Sequence, residues 1–406
     1  DYVRDVQAKG AAAMVHKAQP APSLQVADTL KGLEKLAHAA RARTKAKIVG
    51  VTGSVGKTGT KEMLRVALAT QGKTHATSGN YNNHIGLPLS MANLPLDAQY
   101  GVFEMGMNHA GEISHLTAMA RPHVAIITTV EAVHSEFFSS VDAIADAKAE
   151  IFEGVAEGGV AVLNHHNKYF SRLEKAAKAR GLSVISVGRD SACDVKLISA
   201  EHNVVADIAG KRIEYHLPAL GAHMVANSLL VLAAVHALGL DVKKSADALS
   251  HFEEPAGRGA VKHVSLHGMP ITIIDDSYNA SPASMRAAFV KTEEVWKRAV
   301  NKGRKIAVLG DMLELGADAT ALHAGLAEAL TSFDLIFTAG NLMKNLHDAL
   351  PVKQKAAHVA TANAVLPELQ KALKPNDIVL LKGSHGSYIH TIASQLLGTE
   401  EKKHAV

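Results

Sequence analysis

Hydrophobic residues along the chain fall into two alternating patterns. Short β-branched runs that are apolar at nearly every position are typical of strands buried on both faces of a parallel sheet. We predict such strands at Ile48–Thr52, Val102–Met105, Val124–Thr129, Val160–Leu163, Val184–Val187, Ile271–Asp275, Lys305–Leu309, Leu335–Thr338 and Ile378–Leu381. Helical patterns lie between them, at Thr60–Thr70, Val141–Val155, Ser284–Val300 and Ala321–Ser332. Strands that alternate with helices predict an α/β fold with mostly parallel sheets.

The length of the chain predicts more than one domain. A chain of 406 residues is too long for one compact core, so two or three domains are expected. The glycine-rich segment 257–259 precedes a new series of strands and helices. We predict a central domain at residues 46–260 and a C-terminal Rossmann-like α/β domain at residues 261–406. Residues 1–45 contain a strand fragment and a helix, too little for a domain of their own.

Composition and charge exclude several classes of protein. Aromatic residues are 4% of the chain, the net charge is +4, and no basic run has interleaved aromatics, so no nucleic-acid partner is expected. The longest apolar run, Leu229–Leu240, is too short to span a bilayer and favours a buried core helix. The N-terminus has no signal-peptide hydrophobic region, and the single cysteine, Cys193, fits a reducing compartment. We expect a cytoplasmic protein without membrane insertion.

A glycine-rich turn joins the first clear strand to a helix. This order of strand, turn and helix is the context that a phosphate-binding loop requires, because backbone N–H groups and the helix N-terminus converge on phosphate oxygens. Lys57 would reach the β- and γ-phosphates of ATP, and Thr58 would ligate Mg²⁺. The spacing is shorter than in the common form of this loop. The predicted nucleotide contacts are Gly53, Ser54, Val55, Gly56, Lys57 and Thr58.

Two charged residues occupy positions that point to a site. Glu104 stands at the carboxyl end of a predicted strand, where ligands of α/β sheets bind, and its carboxylate can hold Mg²⁺. The alternative is a surface glutamate. Lys148 shares one helical face with Ile144 and Ile151 and so interrupts a stripe that should be core. The alternative is a lysine that extends its ammonium into water.

Further motifs are found together in one known family. They are Thr77–Asn83 with Ile85–Pro88, Glu104–Ile113, Gly221–Asn227, Asp275–Pro282, Leu309–Gly316 and Lys382–Ser384. With the short T-G-x-x-G-K-T loop they resemble the Mur ligase family, most closely the branch that adds D-alanyl-D-alanine. The chain departs from that pattern where Met224 and Ser281 replace asparagines and where His385 replaces an arginine.

The resemblance implies roles for individual residues. The implied catalytic residues are Lys57, Lys148 and Arg258, with Lys148 carbamylated by CO₂ to give a carboxylate. The implied metal ligands are Thr58, Glu104, His134 and Lys148. The implied nucleotide contacts beyond the loop are Asn227 and Arg258, with Asp276 and Tyr278. The implied substrate contacts are Asn80, Asn82, Asn83, Asn279, Asp311, Glu314, Lys382 and Ser384.

The resemblance also implies a reaction. An ATP-dependent ligase of this branch joins D-alanyl-D-alanine to UDP-N-acetylmuramoyl-tripeptide through an acyl phosphate, with ATP and Mg²⁺, two ions being expected. Residues 1–45 would be the tail of a UDP-binding N-terminal domain that is mostly absent from this sequence, and we expect a monomer. The alternatives are a sibling ligase that adds one amino acid, folylpolyglutamate synthase, a phosphate-loop phosphotransferase or ATPase, and a non-catalytic nucleotide-binding module.

Overall fold

The computed structural model of the protein describes residues 2–132, 136–219 and 221–398. The α-helices are α1 (Val3–Ala8), α2 (Thr29–Arg43), α3 (Lys57–Ala69), α4 (Gly86–Ala92), α5 (Glu112–Ala120), α6 (Val141–Ala149), α7 (Phe170–Ala179), α8 (Ala222–Ala237), α9 (Val242–Ala248), α10 (Pro282–Arg298), α11 (Ala319–Ala324), α12 (Met343–Ala349), α13 (Val365–Ala372) and α14 (Ile389–Leu397). The strands are β1 (Ala13–Val15), β2 (Ser23–Gln25), β3 (Lys47–Thr52), β4 (Thr74–Ala76), β5 (Tyr100–Glu104), β6 (Val124–Ile127), β7 (Val160–Asn164), β8 (Ser183–Gly188), β9 (Val195–Ala200), β10 (Val204–Ile208), β11 (Lys211–Tyr215), β12 (Ala260–Leu266), β13 (Met269–Asp276), β14 (Lys305–Gly310), β15 (Leu335–Ala339), β16 (Lys355–Val359) and β17 (Ile378–Lys382).

The chain forms two compact units: the first contains a nine-stranded sheet and the parallel pair β1–β2, and the second contains a six-stranded sheet. The first unit comprises Asp1–Val130, Asp142–Tyr215 and Asn227–Leu249. The second unit comprises Glu131–Val141, His216–Ala226 and Ser250–Val406. The division of the chain at residues 45/46 and 260/261 into functional domains stays a prediction.

The sheet of the first unit brings three strand ends to one edge. Its order is β11-β10-β9-β8-β7-β6-β3-β5-β4, and the strands from β9 to β4 run parallel. The central strand β3 is buried from its second residue onward, and β6 is buried throughout. Since β5 and β6 flank β3, the residues that follow these three strands meet at the carboxyl edge of the sheet.

The sheet of the second unit is covered on both faces. Its order is β12-β13-β17-β14-β15-β16, parallel except for the antiparallel pair β12–β13. Alternate residues of β14 pack into two different hydrophobic clusters: Ala307 and Leu309 in one, Ile306 and Val308 in the other. This explains why β14 is apolar at nearly every position and confirms the predicted α/β class.

The structure refines two predicted helices and confirms a third. The pattern Val141–Val155 is α6 followed by a 3₁₀-helix at Glu150–Gly154, and Ala321–Ser332 is broken between α11 and a 3₁₀-helix at Ala327–Leu330. Gly325 lies at that second break, consistent with its poor helix propensity. Residues 229–235 of the predicted apolar run are buried in α8, as predicted, whereas His236 is exposed and the run continues past the end of the helix. Across the described parts of the chain, no helix combines the length and apolar character needed to cross a membrane.

Candidate active site

The glycine-rich loop lies between β3 and α3 at the carboxyl edge of the first unit's sheet. Gly53 and Gly56 both have positive φ, at 148° and 87°, and Gly56 is the residue that starts helix α3. Gly56 has no side chain with which to cap the helix, and a helix start without a side-chain cap suits an anion. This geometry fits a phosphate-binding loop.

Two neighbours explain why the loop needs glycine at these positions. A Cβ on Gly53 would lie 1.9 Å from Oγ1 of Thr128, the residue after β6. A Cβ on Gly56 would lie 2.8 Å from Nδ2 of Asn227 in α8. Any side chain at either position would therefore have to displace a packed polar group. Asn227 is buried directly beside the loop, and its predicted contact with the nucleotide stays a prediction.

Hydrogen bonds fix the loop from both sides. The Ser54 amide donates to the Thr129 carbonyl at 2.8 Å, and Oγ1 of Thr128 donates to the Val55 carbonyl at 2.6 Å. Nζ of Lys57 donates to the Gly53 carbonyl at 2.8 Å. The ammonium thus lies over the loop, where it can contact the phosphates of a bound nucleotide. Thr128 was not predicted, because it joins the site only through the pairing of β3 with β6.

A buried carboxylate stands next to the loop. Glu104, at the end of β5, is 1% exposed, and its Oε2 accepts from Oγ1 of Thr58 at 2.9 Å. Its Oε1 accepts from Nδ2 of Asn82 at 2.7 Å. A buried carboxylate with both oxygens oriented, together with a hydroxyl, is the donor type that Mg²⁺ prefers. Thr58 and Glu104 therefore fit a magnesium ion, and the surface-glutamate alternative does not apply.

Lys148 on α6 is buried with the residues that share its face. Its side chain is 2% exposed, and Ile144 and Ile151 are buried with it. Burial is the main cause that lowers the pKa of Lys148 well below the ordinary 10.5, and the positive charge of Lys57 lowers it further. The burial excludes the alternative in which the lysine extends into water. A neutral amine beside the phosphate loop is the form that reacts with CO₂.

The remaining predicted residues of the first unit differ in their surroundings. Asn80 and Asn83 are exposed, whereas Asn82 is half-buried against Glu104. Oδ1 of Asn83 accepts from the amides of Ile85 and Gly86, so its side chain shapes the turn before α4. His134, the predicted metal ligand, lies outside the described residues.

In the second unit, Arg258 lies over an aromatic ring. Its guanidinium carbon is 3.9 Å from the centroid of the Tyr278 ring. The turn that carries Arg258 is fixed by Asp275, whose Oδ2 accepts from the Gly257 amide at 2.8 Å. The carboxylate also accepts from the hydroxyl of Ser277. The predicted contact of Arg258 with the γ-phosphate stays a prediction.

A second group of predicted residues clusters around Lys382. This lysine is 1% exposed, and its Nζ donates to Oδ2 of Asp276 at 2.7 Å and to the Asn279 carbonyl at 2.9 Å. Asn279 itself is exposed. Ser281, where the family has asparagine, caps helix α10 with its hydroxyl, a role that serine and asparagine fill equally well.

Asp311 and Ser384 have structural contacts. The Asp311 carboxylate accepts from the Met343 amide at 2.7 Å, and the hydroxyl of Ser384 accepts from the Leu313 amide at 2.9 Å. Glu314 is exposed, with a left-handed φ of 61°. The structure thus brings these residues into one loop region, but their contact with substrate stays a prediction.

The sequence did not reveal a buried ion pair in the second unit. Lys291 on α10 donates to both carboxylate oxygens of Glu254, at 2.5 and 2.6 Å, and both side chains are almost fully buried. Burial raises the pKa of Glu254, while the nearby lysine lowers it. The pKa of His223 is lowered to about 4. Burial is the main cause, and the positive charges of Lys291 and Lys382 lower the pKa further.

A histidine pair in the first unit has metal-ligand residue types. His165, His166 and Asp190 each place one ligand atom within 4.8 Å of the others. However, Nε2 of His166 accepts from the Arg189 amide at 2.7 Å, so in the neutral ring Nδ1 carries the proton and cannot ligate a metal. Another contact in the group is a close approach of 3.1 Å between Nδ1 of His165 and Oδ2 of Asp190.

Comparisons with known proteins agree with this geometry. The Mur ligase middle domain matches residues 51–235, and the Mur ligase glutamate ligase domain matches residues 257–385. The chain is 31% identical over 399 residues to the UDP-N-acetylmuramoyl-tripeptide--D-alanyl-D-alanine ligase of Rickettsia prowazekii, which covers 95% of this chain and 87% of that protein. It is similar to the crystal structure of MurF from Acinetobacter baumannii, with a TM-score of 0.84 and 30% identity over 98% of this chain and 87% of that one. The MurF ligase of Thermotoga maritima in complex with ADP gives a TM-score of 0.79 and 26% identity over 97% and 90% of the two chains.

Proposed function

The chain belongs to the Mur ligase family, and on that premise we propose that it is an ATP-dependent ligase that joins D-alanyl-D-alanine to UDP-N-acetylmuramoyl-tripeptide. The observation that carries the proposal is the contact of the phosphate loop with a buried acid: Thr58 on the loop helix donates to Glu104, and Asn82 donates to the other oxygen of the same carboxylate. Asn82 belongs to the segment that resembles the family's substrate loop, so a nucleotide site and an acceptor site share one carboxylate.

The reaction proceeds in two steps. A carboxylate oxygen of the tripeptide attacks the γ-phosphorus of ATP, the bond from that phosphorus to the bridging oxygen breaks, and ADP leaves. The product is an acyl phosphate, which is a better electrophile than a carboxylate. The amine of D-alanyl-D-alanine then attacks the acyl carbon, loses a proton, and expels inorganic phosphate through a tetrahedral intermediate. Both steps depend mainly on positioning and on neutralising negative charge.

The first unit supplies the groups for the phosphoryl step. The amides of the loop and the start of α3 would bind the phosphates, and Lys57 would stabilise charge on the β- and γ-phosphates. Thr58 and Glu104 would hold Mg²⁺, which would neutralise phosphate charge when bound. Asn227 lies beside Gly56 of the phosphate loop, and we predict that it contacts the bound nucleotide.

We further propose that Lys148 acts as a carbamate. Its burial and the cation Lys57 favour the neutral amine, whose nitrogen can bond to the carbon of CO₂ and release a proton, which leaves a carbamate anion. A carboxylate there would be paired with Lys57, whereas a protonated lysine would face a like charge. This explains why a lysine is retained in a stripe of buried apolar residues.

Three further predictions concern the whole protein. The residues of the second unit around Lys382 are predicted to contact the incoming dipeptide, and Asp276 and Tyr278 the nucleoside. The use of ATP and a UDP-linked acceptor fits a cytoplasmic enzyme. A monomer is predicted, which light scattering after size-exclusion chromatography tests directly.

A nucleophile panel tests the proposed function. Phosphate release is measured with ATP, Mg²⁺ and UDP-N-acetylmuramoyl-tripeptide, together with D-alanyl-D-alanine, D-alanine or glutamate. The proposal predicts release only with the dipeptide, accompanied by an equal amount of ligated product. Release without an amine would indicate an ATPase, a stable phosphorylated product a kinase, and turnover with a single amino acid a sibling ligase.

A further inference from the structure

Lys61 on α3 is a fully buried lysine with three partners. Its side chain is 0% exposed. Nζ donates to the Thr77 carbonyl at 2.7 Å and to the Gly79 carbonyl at 3.0 Å, and it lies 2.8 Å from Oε1 of Glu62. The three ammonium protons therefore all have acceptors, which a buried lysine needs. The lysine is one helical turn from Lys57 but points to a different part of the unit.

The two carbonyls belong to the segment Thr77–Asn83, which we call the asparagine loop. Gly79 has a left-handed φ of 52°, and a Cβ there would meet no heavy atom within 4 Å, so the backbone conformation is the reason for the glycine. This conformation allows the loop to turn two carbonyls toward one ammonium. The ammonium of Lys61 thus binds backbone carbonyls of the asparagine loop and none of the loop's side chains that the structure describes.

The far end of the asparagine loop reaches the metal-binding carboxylate. The Asn82 side chain donates to Glu104, and its carbonyl accepts from the Gly106 amide at 2.8 Å. The outer side of the segment is open: Tyr81 is 39% exposed and Ile85, just beyond it, is 50% exposed. One side of the loop is therefore fixed to Glu104 and Gly106, and the side chains of its outer side are accessible to a ligand.

We propose that Lys61 is a positioning residue that sets the asparagine loop for the acceptor and couples it to the nucleotide site. The inference rests on the proposed function, since the acceptor is the tripeptide carboxylate that receives the γ-phosphoryl group. Because its side chain is fully buried, Lys61 would act through the loop and not by direct contact with a substrate. It fixes the distance between α3, which carries Lys57 and Thr58, and the loop that carries Asn82.

The test compares Lys61→Met with Lys73→Met. Methionine is similar in length and unbranched but donates no hydrogen bond, whereas Lys73 is an exposed lysine paired with Asp97. For Lys61→Met we expect the acceptor KM to rise about 10-fold or more and kcat to fall, because displacement by about 1 Å costs about 10²-fold. Binding of Mg·ADP, measured by calorimetry, should stay close to wild type, since Lys57, Thr58 and Glu104 remain. Lys73→Met should leave all three values unchanged.

Amide hydrogen exchange tests the same inference without any acceptor. Amides of residues 78–82 should exchange faster in Lys61→Met than in wild type or in Lys73→Met. Exchange at the wild-type rate, or an unchanged acceptor KM, would overturn the inference. If the wild type fails to ligate but the loop exchanges faster in the variant, the proposed function fails while the anchoring by Lys61 stands.

A second variant covers the case in which Lys61→Met does not fold. Lys61→Arg keeps the charge, but the larger planar guanidinium cannot donate to both carbonyls in the same geometry. The expected result is a several-fold rise in acceptor KM with unchanged Mg·ADP affinity. A wild-type acceptor KM in this variant would show that the position of the loop does not depend on Lys61.

Discussion

Lys148→Ala removes a buried amine whose pKa is well below that of an ordinary lysine. The residue is 2% exposed, and the charge that acts on it is another cation, Lys57. If a carbamate at this position helps to hold charge at the phosphate loop, its loss removes one preorganised electrostatic contact. Such contacts are worth on the order of 10²- to 10³-fold in kcat. We therefore expect Lys148→Ala to retain about 1% of wild-type turnover or less.

The assay measures phosphate release in the presence and absence of a small carboxylic acid. Acetate or formate can enter the space that the shortened side chain leaves and supply the missing carboxylate, so partial recovery of turnover is expected. Lys175→Ala, an exposed lysine on α7, is the matched control and should behave as wild type. Full activity of Lys148→Ala without additives would refute a role for Lys148 in the reaction.

The stability of the protein provides an independent readout of the buried amine. The folded-state pKa of Lys148 is lowered, so between that pKa and the unfolded value of 10.5 the unfolded chain binds a proton that the folded chain does not. In CO₂-depleted buffer, stability should rise with pH in this window by up to about 1.4 kcal/mol per unit, and fall as pH decreases toward the folded-state pKa. Lys148→Met should lose this dependence. An identical pH profile in the two proteins would contradict the assignment of a neutral lysine.

Three further substitutions test other parts of the account. Lys57→Ala should lower kcat on the order of 10²-fold or more, because it removes the cation over the loop; phosphate release at the wild-type rate would count against the loop assignment. In a magnesium titration, Glu104→Gln should raise the Mg²⁺ concentration needed for half-maximal activity about 10-fold, because a neutral amide binds a hard cation less well than a carboxylate does. An unchanged midpoint would show that Glu104 is not a ligand of the metal. Lys291→Met leaves Glu254 buried without its partner and should reduce the free energy of unfolding, measured by urea denaturation, by about 3–5 kcal/mol. The control is Lys297→Met, which replaces an exposed lysine on the same helix and should have no comparable effect.

Most of the parallel strands were predictable because burial on both faces leaves a direct trace in the sequence, whereas the half-buried parallel strands β4 and β16 were not predicted. Strands such as β3 and β14 are apolar at nearly every position, and their observed limits differ from the predicted ones by one residue. Strands β10 and β11, which pair antiparallel with each other, and the neighbouring strand β9 were not predicted. β11 has exposed charged residues between its buried positions, so its apolar residues are too few to form a run.

The site also contains both residues that the sequence could reveal and residues that it could not. Lys148 was identified because it interrupts an apolar helical face, and Lys61 interrupts one in the same way, with Leu64 and Leu68 on its face of α3. Thr128 could not be predicted, since it meets Gly53 only through the register of two strands. Long-range contacts of this kind depend on tertiary structure.

Transfer of oxygen isotope tests most directly whether the phosphate loop serves to activate a carboxylate. The acceptor is prepared as UDP-N-acetylmuramoyl-tripeptide with ¹⁸O in its terminal carboxylate and is incubated with ATP, Mg²⁺ and D-alanyl-D-alanine, and the released phosphate is analysed by mass spectrometry. An acyl-phosphate mechanism predicts one ¹⁸O atom in each phosphate from a fully labelled carboxylate, together with an equal amount of pentapeptide product. Phosphate that contains no ¹⁸O would mean that water attacks ATP, and the chain would not be a ligase of this type.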